Sequence, residues 1–263
     1  MCDCFGLVGK VAIVTGTSRG LGQWMARALA RAGADIVLTS RKIDSLDEFE
    51  KEIRSIGRRA LKVELDVNIQ EDIDAMVDKT IKAFGRIDVL VNNAGCIVRK
   101  PALEVTVEEW DTVVDTILKG SFFCSQAVAK VMIRQKKGRI INIGSATCVF
   151  GTAGIIPYGA ARGGMVQLTK GLAVEWGRYG ITVNILAPGW FETDQNRALF
   201  QDKGWVNSVI ERIPVGRTGL KHDLDGTVVF LSSDASEYVT GQLILVDGGY
   251  TISAIKARSP QNT

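Results

Sequence analysis

The 263-residue sequence contains one histidine, His222. That scarcity excludes chemistry built on a histidine base and most zinc sites, so no metal is expected. The five cysteines, Cys2, Cys4, Cys96, Cys124 and Cys148, form no C-x-x-C pair. An odd, unpatterned set fits reduced thiols in a cytoplasmic compartment. The net charge is only +3, so neither nucleic acid nor an anionic membrane is an expected partner. No apolar run approaches the roughly 20 residues of a membrane span. Met1 to Gly9 lacks the basic and apolar stretches of a secretory signal. What remains is ordinary globular composition, 46% hydrophobic and 23% charged, in a chain long enough to bury a large core without staples.

Short β-branched runs alternate with longer helical patterns. Strands are expected at Val11–Thr15, Asp35–Thr39, Leu61–Leu65, Ile87–Val91, Arg139–Ile143, Ile181–Ala187 and Leu243–Val246. Helices are expected at Leu21–Ala32, Ile43–Ile56, about Ile69–Phe84, Val107–Gln135 (in one piece or two) and Tyr158–Tyr179, with Gly33, Gly57 and Gly85 as stops. The alternation predicts an α/β fold: a Rossmann-like, doubly wound, seven-stranded, mostly parallel sheet with helices on both faces. No linker or repeat divides residues 1–263, so one domain is expected, with short mobile ends at about 1–6 and 255–263. Such sheets bind ligands at the carboxyl ends of their strands.

After the first strand comes Thr15-Gly16-Thr17-Ser18-Arg19-Gly20-Leu21-Gly22. Glycines between a buried strand and a helix let the backbone approach a pyrophosphate at the helix N-terminus. The spacing is Gly-x-x-x-Gly-x-Gly, unlike the general Gly-x-Gly-x-x-Gly fingerprint. The second strand ends in Thr39-Ser40-Arg41-Lys42, with no acid for a ribose 2′-hydroxyl. Arg19 and Arg41 suit a 2′-phosphate, which favours NADP(H) over NAD(H). The alternative is that Arg41 and Lys42 are merely solvated.

Further motifs follow the later strands: Asn92-Asn93-Ala94-Gly95, Gly144-Ser145 with Tyr158 thirteen residues on, Pro188-Gly189 with Thr193, and Asp247-Gly248-Gly249. With the glycine loop, this set resembles the short-chain dehydrogenase/reductase family from about residue 6 to residue 250. Within it, Ile97-Val98-Arg99-Lys100-Pro101, Gly20-Leu21-Gly22-Gln23 and Arg212-Ile213-Pro214 look like the gluconate 5-dehydrogenase and 2-deoxygluconate 3-dehydrogenase branch. The resemblance implies that Asp66 and Val67 flank the adenine, that Asn93, Ala94 and Gly95 line the cofactor cleft with Pro188 and Gly189, and that Thr193 holds the nicotinamide carboxamide. It implies that Ser145 bonds the substrate oxygen and that Tyr158 is the general acid in reduction and the base in oxidation. Hydride transfer to a carbonyl leaves an alkoxide that needs a proton. A free tyrosine ionises near ~10, so a neighbouring cation is required to make its anion accessible.

Two positions depart from the family. Its lysine, four residues after the tyrosine, is Arg162 here, and its asparagine is Ile117, in Asp115-Thr116-Ile117-Leu118-Lys119. Arg162 keeps a positive charge near Tyr158 but does not deprotonate, and its planar fork differs from an ammonium. Ile117 removes the polar group that anchors a water in the family's proton relay. Tyr-x-x-x-Arg also resembles halohydrin dehalogenases, whose serine, tyrosine and arginine close epoxides without moving hydride, although those enzymes lack the dinucleotide site. Three readings follow: an NADP(H)-dependent carbonyl reductase or alcohol dehydrogenase, a redox-neutral Ser–Tyr–Arg enzyme, and a dinucleotide-binding protein with impaired catalysis.

Trp190 to Ile213, where the family carries its substrate lid, is rich in Trp190, Phe191, Leu199, Phe200 and Trp205. Arg99 is either a partner for a substrate carboxylate or a solvated charge beside Lys100. Family membership implies a homotetramer.

Overall fold

In the computed structural model, residues 4–253 are described. Cys2 and the polar tail Ile255–Thr263 lie outside them. Seven strands form one sheet in the order β3-β2-β1-β4-β5-β6-β7. They are β1 (Val11–Val14), β2 (Asp35–Ser40), β3 (Ala60–Glu64), β4 (Val89–Asn92), β5 (Gly138–Ile143), β6 (Ile181–Pro188) and β7 (Leu243–Val246). All six pairings are parallel. The helices between them are α1 (Gly20–Arg31), α2 (Asp47–Ser55), α3 (Gln70–Phe84), α4 (Val107–Val114), α5 (Gly120–Gln135), α6 (Ile156–Trp176), α7 (Arg197–Gln201), α8 (Lys203–Glu211) and α9 (Asp225–Ser232).

Successive side chains of a strand point to opposite faces. Ala12, Val14, Val89, Val91, Ile141 and Ile143 accordingly pack under α1, α2 and α9. Val11, Ile13, Leu90 and Ile140 pack under α3, α5 and α6. Both faces are covered, so the central strands read as continuous apolar runs and not as alternation. The strand order reverses between β1 and β4, which opens a crevice at their carboxyl ends.

Most expected elements appear within a residue or two of their predicted limits. Four differences have physical causes. The second helix opens as a 3-10 turn at Ile43–Leu46 before α2 proper, because Ser45 Oγ bonds the Lys42 carbonyl at 2.5 Å and holds the tighter turn. The fourth strand starts at Val89; the Ile87 amide is taken by Gln135 Oε1 at 3.0 Å instead of by a strand partner. The long helix is continuous from α4 to α5, with a π-turn at Asp115–Lys119 inserted between them. The α9 helix escapes sequence patterning because Val228, Val229 and Phe230 read as strand residues, yet burial against α1 decides its form. Cys4 and Phe5, expected in a frayed end, dock: Ala235 N donates to the Cys4 carbonyl at 3.0 Å, and Phe5 stacks 6.4 Å from Phe230. Among the described residues, no helix is long and apolar enough to cross a membrane.

Candidate active site

The glycine loop leads from β1 to the N-terminus of α1. Gly16 and Gly20 have φ of +70° and +63°, where a side chain would strain the backbone. A Cβ on Gly22 would stand 2.6 Å from Asn93 Nδ2 and collide with the Gly16 carbonyl. The cradle is therefore shaped by missing side chains. Arg19 provides no side-chain cap and the first turn of α1 holds no acid, so the helix's leading amides are free to meet an anion. These features fit a dinucleotide pyrophosphate. Among the described residues neither Arg19 nor the exposed Arg41 has an ionic partner. Ser40, in contrast, is engaged: its hydroxyl meets Ser45 Oγ at 3.0 Å and accepts from Lys42 N at 3.1 Å. Ser18 accepts, through its carbonyl, from Gln23 Nε2 at 3.1 Å. Leu21 packs inward against the core beneath α1.

The loop after β4 is stitched to this cradle. Asn93 Nδ2 donates to the carbonyls of Thr15 at 2.8 Å and Gly16 at 3.0 Å. The amides of Asn93 and Ala94 both reach Thr15 Oγ1 at 2.9 Å. Sequence reading missed Thr15, although its place at the end of β1 was the available signal. Thr193 also comes to the cradle, 3.8 Å from where a Gly20 Cβ would be, with its amide and hydroxyl held by Asn196 Oδ1 at 2.8 and 3.2 Å. Asn196 is a second residue that sequence reading missed. Gly189 lets β7 close in: a Cβ there would lie 2.6 Å from Asp247 Cβ, while Pro188 is buried in the strand pair. At the other end of the cleft, Asp66 caps its own turn by accepting from Asn68 N at 3.0 Å. The Val67 side chain packs against the helix bend, its Cγ2 2.7 Å from where a Cβ on Gly120 would stand.

Ser145 lies two residues past β5 and starts a short turn, its hydroxyl accepting from Thr147 N at 3.2 Å. Tyr158 stands in the first turn of α6, which Pro157 helps to open. The Cys148 thiol donates to the Arg162 carbonyl at 3.3 Å, which ties the Ser145 turn to the helix carrying Tyr158. Burial pushes the thiols of Cys96 and Cys148 above their usual range; hydrogen bonds and the Arg162 charge offset part of that.

Arg162 is 5% exposed. Its guanidinium carbon lies 4.9 Å from the centre of the Tyr158 ring, and Nη1 donates to the Ile143 carbonyl. Nε has no partner. Ile117 is fully buried at the centre of the π-turn, in one apolar cluster with Val113, Ala161 and Met165, against which Tyr158 packs. A Cβ on Gly95 would stand 3.1 Å from Arg162 Nη2 and 3.4 Å from Ile117 Cγ1. Behind the bend, Ser121 Oγ donates to the Ile117 carbonyl at 2.6 Å. A buried polar chain continues from there through Asn92, Ser125, Asn142 and Thr169.

The segment after β6 adds an aromatic cluster. Trp190, Trp205 and Tyr250 stack in T-shaped contacts at 5.0 and 6.1 Å, with Phe150 5.6 Å from Tyr250. Ala146, next to Ser145, belongs to the same cluster. Lys100 is held, its ammonium 2.6 Å from Glu109 and its amide 2.9 Å from the Gly154 carbonyl. That second bond lays the Arg99 loop along the loop between Ser145 and Tyr158. Arg99 is exposed and enters no ion pair among the described residues.

This chain belongs to the short-chain dehydrogenase/reductase family; the family described as enoyl-(acyl carrier protein) reductase matches residues 16–251. It is 41% identical over 251 residues to gluconate 5-dehydrogenase of Gluconobacter oxydans (strain 621H), covering 95% of this chain and 98% of that protein. It is 43% identical over 249 residues to 2-dehydro-3-deoxy-D-gluconate 5-dehydrogenase of Escherichia coli (strain K12), covering 94% and 98%. A crystal structure of gluconate 5-dehydrogenase from Burkholderia cenocepacia J2315, in complex with NADP and tartrate, superposes with a TM-score of 0.93 at 40% identity, covering 96% of this chain and 99% of that one. The chain is an oxidoreductase that interconverts an alcohol and a ketone.

Proposed function

We propose that the protein is a cytoplasmic, homotetrameric, single-domain NADP(H)-dependent oxidoreductase acting on a sugar acid and its keto form. The observation that carries the reading is the side-chain-free, uncapped start of α1 together with the tie between the Ser145 turn and the helix that carries Tyr158, through the Cys148 thiol and the Arg162 carbonyl. A nicotinamide cofactor held by the glycine cradle would supply the hydride in reduction and accept it in oxidation. In reduction, Ser145 donates a hydrogen bond to the carbonyl oxygen as charge develops there. Tyr158 passes its proton to the resulting alkoxide, with the Arg162 guanidinium carbon 4.9 Å from the centre of its ring. Arg162 does not itself hand on a proton, so Tyr158, half-buried at the cleft, is reprotonated from solvent. Arg99 pairs with the substrate carboxylate, and the acidic tartrate in the relative's crystal is consistent with an anion-accepting cleft. The absence of an acid after β2 and the free Arg19 and Arg41 support NADP(H) over NAD(H). The free thiols of Cys96, Cys124 and Cys148 support a reducing compartment.

The intact glycine cradle favours this reading over redox-neutral epoxide chemistry. The experiment is a spectrophotometric screen of NADPH oxidation with keto-sugar acids and matched neutral ketones, repeated with Arg99→Ala. The reading expects acidic substrates to be preferred, and that preference to fall about tenfold or more in the variant. Equal KM changes for acidic and neutral ketones would remove Arg99 from the site. No reduction of any ketone, with epoxide formed from haloalcohols, would overturn the redox assignment.

A further inference from the structure

We propose that Ile117 is a positioning residue for Arg162, and that the two act as a coupled pair through the side-chain-free space at Gly95. The proposal rests on the reading of Tyr158 as the acid–base residue.

A buried isoleucine in a helix is ordinarily core. Three observations distinguish this one. It sits at the centre of a π-turn, where the backbone departs from α geometry and displays a residue the regular helix would not. Its Cγ1 and the Nη2 of Arg162 converge on a single point, the position a Gly95 Cβ would occupy. Its cluster also contains Tyr158, whose ring the guanidinium faces. The guanidinium is therefore bounded by the Tyr158 ring, the Ile143 carbonyl and the bare backbone of Gly95, and Ile117 borders the same side-chain-free space at Gly95.

Each boundary has a physical role. The Ile143 carbonyl takes one donor and fixes the plane of the fork. Gly95 leaves room for Nη2. Ile117 offers no hydrogen-bond acceptor, so nothing on that side competes with the Ile143 carbonyl or draws the charge off the ring. An asparagine there would present an amide oxygen to a guanidinium with an unpartnered Nε, and the fork would turn toward it. A lysine at position 162 inverts the preference. A compact ammonium against an isoleucine flank is desolvated without a partner, whereas an asparagine would give it one. The two residues are thus each suited to the other and each unsuited to the other's replacement.

The test is a double-mutant cycle in kcat for ketone reduction, with KM for NADPH measured alongside. In the arginine background, Ile117→Asn is expected to lower kcat about tenfold with KM for NADPH little changed, as befits a misplaced charge and not a lost binding contact. In the Arg162→Lys background, the same substitution is expected to raise kcat. To keep the test independent of any folding defect caused by the amide, the same-shaped pair Ile117→Val and Ile117→Thr repeats the comparison. Valine should exceed threonine with Arg162 and fall below it with Arg162→Lys. A readout independent of turnover is the Nε–H resonance of Arg162 in 15N-arginine-labelled protein, assigned by its loss in Arg162→Lys. It should keep a ring-current shift in Ile117→Val and lose it in Ile117→Thr. A fall in kcat of the same size in both backgrounds, or an Arg162 resonance that does not respond to position 117, overturns the coupling. Wild-type protein that reduces no ketone defeats the acid–base reading alone, since the resonance still tests the pair.

Discussion

Arg162 donates to the carbonyl oxygen of Ile143, and among the described residues no carboxylate pairs with it. Arg162 is only 5% exposed, and a charge buried with no counter-ion among the described residues costs folding free energy. Arg162→Met fills a similar volume without a charge. It is expected to raise thermal stability, by roughly 2–4 °C for each kcal/mol gained in a chain of this size, while lowering kcat. Calorimetry of the variant decides it: a Tm below wild type would mean the cation–π contact and the carbonyl bond outweigh the burial of charge.

The unpartnered Arg41 at the end of β2 leads to a cofactor prediction. Arg41→Ala, alone and with Arg19→Ala, should weaken NADPH binding about tenfold or more and leave NADH binding as it was. Nicotinamide fluorescence titration reads both. Equal loss for the two cofactors would show that neither arginine reads the 2′-phosphate.

Cys124 is fully buried in the layer under α5, and burial pushes its thiol up to about 12. At pH 8 almost none of it is thiolate, the reactive form. Peptide mapping after treatment with a disulfide reagent should find Cys124 unmodified in the native protein and modified after guanidinium unfolding. Labelling of Cys124 in native protein would place this face of the sheet in solvent.

Between the lid and α9, the Arg217 guanidinium clasps Asp223 at 2.5 and 3.1 Å and holds its carboxyl down to about 2; burial opposes this, and the Leu220 amide adds to it. A carboxyl depressed in the folded state adds stability above its ordinary value of 3.8, and that stability is lost as pH falls toward about 2. Asp223→Asn should therefore melt below wild type at pH 7, and the gap should close between about pH 4 and pH 2. A gap that stayed constant through that range would mean the asparagine harms packing and not the ionic clasp.

The sheet was legible because its strands are buried on both faces and separated by glycine stops. Ile13, Val37, Leu90 and Ile141 announce themselves without any alternation to interpret. The site was legible where function leaves a spaced signature, as from Ser145 to Tyr158. It was illegible where residues act by holding others. Thr15 and Asn196 orient Asn93 and Thr193 through hydrogen bonds between segments distant in sequence or folded back on themselves, and no local pattern encodes such bonds. The close approach of Val67 to Gly120, far off in sequence, is likewise written in no local pattern. The guanidinium's orientation was equally hidden, since it depends on a backbone carbonyl from another strand.

The π-turn at Asp115–Lys119 has one more consequence. It behaves as an inserted loop of helix: the α-helical turns on either side keep their own packing, and the residue at its centre is set into the buried cluster against which Tyr158 packs, as if mounted on a removable tile. Exchange at position 117 can therefore rewrite the chemistry beside the tyrosine while the framework of the long helix stays as it was.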